Sequence, residues 1–234
     1  MTIEYRNKGY GQDLKESGER WVPKKMIKVD IVDKMGTDLS VVNAARVSYA
    51  KIKNRFDETD TKLISYLAKH GHWSPFAHAS LSFRIKAPVF VARQLVKHQV
   101  GLSWNEVSRR YVSYEPELYE VDEWRGKPVN SKQGSAGVVE LDKTLKHVYE
   151  TTMEQCKILY NALLGKGIAP EQARAVLPQS MMTEWLWTGT LYAFARVCNL
   201  RCKPDVQKET REVAEQISYN CEQYFPVSWP ALRE

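Results

Sequence analysis

Residues 79–111 read ASLSFRIKAPVFVARQLVKHQVGLSWNEVSRRY, and the change of period within this stretch decides the fold. From Ala79 to Lys86 apolar and polar residues alternate, with Leu81, Phe83 and Ile85 on one side, the period-two pattern of a half-buried strand. Pro88 follows, a residue tolerated in a first helical turn because its missing N–H would find no partner there. Val91, Leu95 and Val96 then recur at helical spacing and predict a helix from Val89 to Val100. Gly101 lets the backbone turn out of that helix into the next segment.

Upstream, Ile27, Val29 and Ile31 alternate with polar residues and predict a strand over Met26 to Val32. Val41 to Ser48 and Asp60 to Lys69 read as short helices, the second with Leu63, Ile64 and Leu67 on one face. Downstream, Glu115 to Gly137 is polar and carries Gly126, Pro128 and Gly134, which predicts a surface loop or mobile lid outside the core. Leu141, Leu145, Val148, Cys156, Leu159 and Leu163 keep helical spacings and predict a long helix ended by Gly165 and Gly167. Pro170 opens a short helix to Leu177, and Pro178 closes it. Met181 to Asn199 reads as a further apolar helix. Asp205 to Tyr224 is amphipathic, with Val206, Val213, Ile217 and Tyr224 on its inner face. The expected class is α+β: one domain over residues 1–234, with a small, mostly antiparallel sheet packed against a helix-rich C-terminal half. Residues 1–25 are expected as an N-terminal extension and 115–137 as a surface loop.

Composition narrows the function classes. A hydrophobic fraction of 43% with 26% charged residues can build a globular core. No apolar run approaches the roughly 18 residues of a membrane span, and Met1 to Lys25 lacks the apolar centre of a secretory signal. A cytoplasmic protein is expected. The net charge of +6 favours anionic partners, and nucleotides, polyphosphate cofactors, folates and nucleic acid suit it about equally. Cys156, Cys198, Cys202 and Cys221 form no CxxC pair and read as small buried hydrophobes. His70, His72 and His78 lie close in sequence, but no Cys or Glu completes a convincing ligand set, and no metal is expected.

The chemistry concentrates in Arg93 to Tyr111. Arg93, Lys97, Arg109 and Arg110 oppose a single anion, Glu106. Gln94, His98, Gln99, Ser103, Asn105 and Ser108 are interleaved with them. Such a set of forks, amides and hydroxyls suits a phosphate joined to a heterocycle with several acceptors. On residue types alone, a solvated basic helix face is an equal reading, and a nucleic-acid-binding module built on this patch is a rival that lacks a recognised fold motif.

The order and spacing of these residues resemble the signature of the flavin-dependent thymidylate synthases. That signature runs Arg-Gln, a short gap, Arg-His-Arg, then Ser, Asn-Glu, Ser and Arg-Tyr. Arg93-Gln94, His98, Ser103, Asn105-Glu106, Ser108 and Arg110-Tyr111 match it. His72, Ser74-Pro75-Phe76, His78 and Lys86-Ala87-Pro88 resemble the preceding segment, and Ala44-Ala45-Arg46-Val47-Ser48 an early phosphate-contacting turn. Arg174, Leu177-Pro178, Thr183 and Asn199-Leu200-Arg201 match the second half, so the likeness covers roughly residues 40 to 220. The chain departs from the pattern at Lys97-His98-Gln99, which replaces Arg-His-Arg, and at a gap to Ser108 that is one residue longer. Ala77 stands where many members have Glu, and Thr190 and Tyr192 replace Asn and Arg.

The resemblance implies reductive methylation of dUMP to dTMP. FAD would be the cofactor, NADPH the reductant and methylenetetrahydrofolate the carbon donor, with no enzyme cysteine as nucleophile. By matched position, Gln94, Lys97, Ser108, Arg110, Arg174 and Arg201 would bind dUMP, with Arg201 and Ser108 in the catalytic role. Ser48, Ser74, His98, Gln99, Asn105 and Glu106 would hold FAD. The family's homotetramers, with active sites built from several subunits, imply the same assembly here. A diverged flavin- and nucleotide-binding relative with weak or different activity is the alternative within the family.

Overall fold

The computed structural model describes residues 26–129 and 134–233; the extension expected over 1–25 lies outside them. Four strands form one antiparallel sheet: β1 (Lys28–Met35), β2 (Ser80–Pro88), β3 (Leu102–Glu106) and β4 (Met182–Thr190), in the order β1-β2-β4-β3. Between β1 and β2 stand α1 (Asp38–Arg46) and α2 (Glu58–Lys69), each followed by irregular chain with a short 3₁₀ turn, Val47–Tyr49 and Ser74–His78. Helix α3 (Val89–Leu95) links β2 to β3. Helices α4 (Lys143–Gly165) and α5 (Pro170–Ala173) precede β4, and α6 (Leu191–Arg201), α7 (Lys208–Tyr224) and α8 (Ser228–Leu232) follow it. The expected α+β class, with an antiparallel sheet and a helical C-terminal half, is the one found. No described helix is long and apolar enough to cross a membrane.

The alternation of β2 works as its sequence implies. Leu81, Phe83, Ile85 and Ala87 are all buried, and Phe83 meets Phe194 of α6 edge-on at 5.0 Å between ring centroids. Buried Val213 and Ile217 bring α7 against the same core. Asp57 caps α2 by accepting from the Thr59 backbone N–H at 2.9 Å, satisfying a donor that the helix itself cannot.

Two expectations need correction. Met181 to Asn199 is not one helix: Met182–Thr190 is the inner strand β4, between β2 and β3, and the helix starts only at Leu191. Trp185 and Trp187 are buried on one face while Leu186 between them is 42% exposed. An apolar residue on the open face hides the period-two signal, and an unbroken apolar run is ambiguous between buried strand and helix. The helix after Pro88 stops at Leu95, five residues short of Val100. Its end frees residues 96–101 to turn, with Gly101 at φ +78°, and enter β3, a strand that the sequence did not announce. Gly189 of β4 permits this pairing, because a Cβ there would stand 2.3 Å from the Leu102 side chain.

The described residues of the polar stretch 115–137 carry no regular helix or strand, yet the stretch is not wholly outside the core. Tyr119 is buried against Phe90, with ring centroids 5.9 Å apart. A bridge of Leu118 to Met181 fastens the loop to the start of β4. Helix α4 exists as predicted, but its apolar stripe is not turned inward: Leu145, Val148 and Leu159 are about half exposed, and only Tyr160 is buried.

Candidate active site

The core stripe of α3, Val91, Ala92 and Leu95, fixes its rotation and leaves Gln94 facing α7. The Gln94 amide N–H donates to the Gln207 side-chain oxygen, and its own oxygen accepts from the Thr210 hydroxyl at 3.2 Å. In the turn beyond α3, the Arg201 guanidinium at the C-terminal end of α6 donates to His98 Nε2 at 3.0 Å. Burial lowers the His98 pKa from its ordinary value, and the charges of Arg201 and Arg196 lower it further. The ring is therefore the neutral acceptor that the Arg201 hydrogen bond requires.

A cavity of about 670 Å³ opens beside this group, walled on one side by residues 119–125 with Gly134 and Ser135. Phe90, Gln94, Tyr119, Trp124, Arg201 and Glu209 are among the residues that line it. Glu209, in the first turn of α7, pairs with Arg125 of the loop at 2.6 Å. Burial pushes the Glu209 carboxyl up, but hydrogen bonds from Arg125, its own backbone and Gln207, with the Arg125 charge, together outweigh it and the net pKa falls, so the pair stays charged.

A second group forms around the end of β3. Glu106 accepts from the Thr183 hydroxyl of β4 at 2.8 Å and from the Trp104 indole at 3.2 Å. Ser108 Oγ accepts from the Arg110 backbone N–H and Nε, both at 3.3 Å. Arg109 turns inward, donating to the Tyr114 carbonyl beneath its ring. Arg110 points outward, exposed, with its guanidinium 4.9 Å from the Tyr111 ring centroid. Arg174 is exposed on the 3₁₀ turn after α5 and bonds only its local Glu171 carbonyl, at 3.2 Å, among the described residues.

The sequence-derived residues thus fall into separate sets. Gln94 and Arg201 line one cavity, and His98 is joined to it through its bond to Arg201. No described hydrogen bond or ion pair joins them to Ser108, Arg110 or Arg174. Lys97, Gln99 and Asn105 are exposed, as are Ser48 and Ser74, each in or at the start of a 3₁₀ turn. His70 and His72 pack around the Tyr66 ring, at 4.3 and 6.1 Å between centroids. No described group of three or more His, Cys, Asp or Glu side chains is arranged to hold a metal.

The profile described as "Thymidylate synthase complementing protein" matches residues 30–227. A flavin-dependent thymidylate synthase of Thermus thermophilus is 38% identical over 206 residues, which is 88% of this chain and 75% of that protein. The chain belongs to the flavin-dependent thymidylate synthase family. A second member, from Kosmotoga olearia, is 40% identical over 87% of this chain and 89% of its own length. Among solved structures, a UMP/dUMP methylase (PolB) of Streptomyces cacaoi bound with 5-Br dUMP superposes with a TM-score of 0.79 at 32% identity. That match covers 88% of this chain and 94% of the other.

Within this flavin-dependent thymidylate synthase fold, several residues at the cavity were invisible to sequence reasoning. Gln207, Glu209 and Thr210 reach Gln94 and Arg125 across more than 80 positions, and nothing local marks them. The one available signal was the cluster of polar residues opening an amphipathic helix. That cluster reads equally well as an ordinary helix start.

Proposed function

We propose that this enzyme methylates dUMP to dTMP, with FAD as redox cofactor, NADPH as reductant and methylenetetrahydrofolate as carbon donor. The observation that carries this reading is a cavity lined by Gln94 and by Arg201, whose guanidinium His98 holds, in a chain of this family. That a relative of the same fold was crystallised with 5-Br dUMP supports the substrate.

Arg201, held by neutral His98, presents a fixed cation to the pyrimidine, where it stabilises negative charge as carbon 5 is activated. Gln94, restrained by Gln207 and Thr210, offers an oriented amide. Lys97, Ser108, Arg110 and Arg174 bind the phosphate and ribose, the arginines through paired N–H donors. The loop along the cavity, anchored by Arg125 and Tyr119, excludes water. Exposed Ser48, Ser74, Gln99 and Asn105, together with His98 and Glu106, form a donor and acceptor set suited to a flavin dinucleotide. A flavin held by these residues would supply hydride transfer, and the folate carbon donor would be released as tetrahydrofolate.

No described cysteine lines the cavity. Cys198 and Cys221 are buried, and burial raises both thiols well above the ordinary range. Cys202 is lowered to about 7 by its Cys198 neighbour and the nearby Arg233, on the side of the C-terminal helix. A reaction without an enzyme thiolate fits this placement.

Two features favour a homotetramer with shared sites. Among the described residues no hydrogen bond or ion pair joins the proposed nucleotide-binding sets, and Leu145, Val148 and Leu159 on the apolar stripe of α4 are about half exposed. The deciding experiment is an anaerobic assay of the FAD-loaded protein with dUMP, NADPH and methylenetetrahydrofolate. The expected products are dTMP and tetrahydrofolate. Flavin reduction without dTMP would replace this reading with that of a diverged relative.

A further inference from the structure

The C-terminal end of α6 carries two cysteines that the reaction above leaves unused. Cys198 and Cys202 are four residues apart, and the Cys202 N–H donates to the Cys198 carbonyl at 2.9 Å as the helix closes. Cys198 is fully buried, with Sγ 3.4 Å from the Ala214 carbonyl of α7. Cys202 is half-buried and stands at the cap, where the chain leaves the helix for the turn that leads to α7. The Cys198 thiol also hydrogen-bonds the Cys202 sulfur, so its one proton can turn to either neighbour.

The two sulfurs are unlike in a way that suits stepwise chemistry. The bond from Cys198, with the charge of Arg233, holds the Cys202 thiol at about 7 against the opposing push of burial. Arg233 is itself kept in place by Asn199, whose side-chain oxygen accepts from it at 2.5 Å. A large fraction of Cys202 is therefore thiolate near neutral pH, the form that reacts. Burial drives Cys198 the other way, and it stays a protonated thiol until its partner is activated. Cys221 is also fully buried with its thiol raised, and offers no competing nucleophile.

We infer that Cys202 and Cys198 form a peroxide-sensitive dithiol whose disulfide withdraws Arg201 from the dUMP site. The Cys202 thiolate attacks one peroxide oxygen, the O–O bond breaks, hydroxide leaves, and the sulfur is oxidised to a sulfenic acid. The Cys198 sulfur then attacks Cys202. An S–S bond forms, the S–O bond breaks, and the hydroxyl leaves with the Cys198 proton as water. Residues four apart on a helix have Cα atoms about 6 Å apart, within the reach of a disulfide, but the Cβ atoms must close to about 4 Å. Cys198 is locked in the core, so the freer end moves, and Arg201 moves with it. That shift disturbs the 3.0 Å bond to His98 and the place of Arg201 in the cavity lining. The inference rests on the dUMP-binding role given to Arg201 above.

The test compares the purified full-length chain in three states: reduced, treated with hydrogen peroxide, and treated then re-reduced with dithiothreitol. Trypsin cleaves after Arg201 and so separates the two cysteines, and a disulfide would join peptides 197–201 and 202–208. Mass spectrometry should find the joined pair after peroxide and lose it on re-reduction. Affinity for dUMP, read by calorimetry, should fall about ten- to a hundredfold on oxidation, the range for losing a charge-assisted hydrogen bond, and recover on re-reduction. Cys202→Ser should bind dUMP like the reduced wild type and keep that affinity in peroxide. Cys198→Ala should halt at the sulfenic acid, which dimedone traps on peptide 202–208. Absence of the joined peptides from oxidised wild type would overturn the proposal. So would joined peptides with unchanged dUMP affinity, or a peroxide-induced loss that persists in Cys202→Ser. A reduced wild-type chain that fails to bind dUMP would overturn the functional reading instead, while the peptide masses still decide whether the disulfide forms.

Discussion

The His98 ring nitrogen accepts a hydrogen bond from the Arg201 guanidinium at 3.0 Å, across 103 positions of sequence. That bond exists only while His98 is neutral, and burial together with two nearby arginines lowers its pKa. The folded ring therefore binds fewer protons than the unfolded one, and the stabilisation from this arrangement is lost as pH falls. Turnover should show an acidic limb with its midpoint below the ordinary histidine value. His98→Gln, which keeps an acceptor and cannot titrate there, should remove the limb while retaining activity. A pH profile of kcat/KM checks this, and an unchanged limb in the variant would assign it to another group.

Arg201→Ala should lower kcat about 10²- to 10³-fold, the loss typical of removing a donor that stabilises developing charge. Single-turnover measurement of dTMP formation separates this from weaker binding. A rise in KM with kcat intact would reduce Arg201 to a ground-state contact.

Thr210 is fully buried and donates to the Gln94 amide oxygen at 3.2 Å. Thr210→Val keeps the shape but removes the hydroxyl, so the amide loses one of its two restraints. We expect KM for dUMP to rise about three- to tenfold with kcat little changed, in line with one neutral hydrogen bond. Thr210→Ser should restore it. A change in kcat alone would show that Gln94 does not act through ground-state binding.

The strand β2, the start of α3 and the amphipathic α7 were legible because each buries one face and solvates the other. Trp185 and Trp187 of β4 misled because exposed Leu186 between them erased the alternation, so that only tertiary pairing reveals a strand. The helical period of α4 was read correctly, but period says nothing about which partner covers the stripe. Motif spacing pointed to Gln94 and Arg201, which line the cavity, and to His98, which accepts from Arg201. It did not point to Thr210 and Glu209, which come in only through folding of α7 against α3 and the loop.

The Arg125–Glu209 pair ties the cavity wall to α7, with side chains 16% and 6% exposed. Removing the cation by Arg125→Met strands a buried carboxylate and should cost about 3 kcal/mol in urea unfolding. Because the folded Glu209 pKa is depressed, the pair's contribution is present above the unfolded carboxyl value and lost as pH falls through the folded one. The stability gap between wild type and Arg125→Met should therefore narrow in acid. A gap independent of pH would place the energy in packing of the arginine stem.

Lys97 is exposed, and no described side chain holds it. An unpaired cation beside the Gln94–His98 turn has the chemistry to take a ligand anion, and lysine does so as a point charge without a planar fork. Lys97→Ala should lower kcat/KM for dUMP about ten- to a hundredfold, the range for losing a charge-assisted hydrogen bond. Lys97→Arg, which restores the residue of the family signature, should match or exceed wild type. Cys202→Ser provides the contrast: its thiol lies toward Arg233 and outside the cavity lining, so dTMP formation should continue near the wild-type rate. Wild-type turnover in Lys97→Ala would remove that residue from the site. Loss of turnover in Cys202→Ser, with dUMP binding intact, would point to a thiolate in the chemistry.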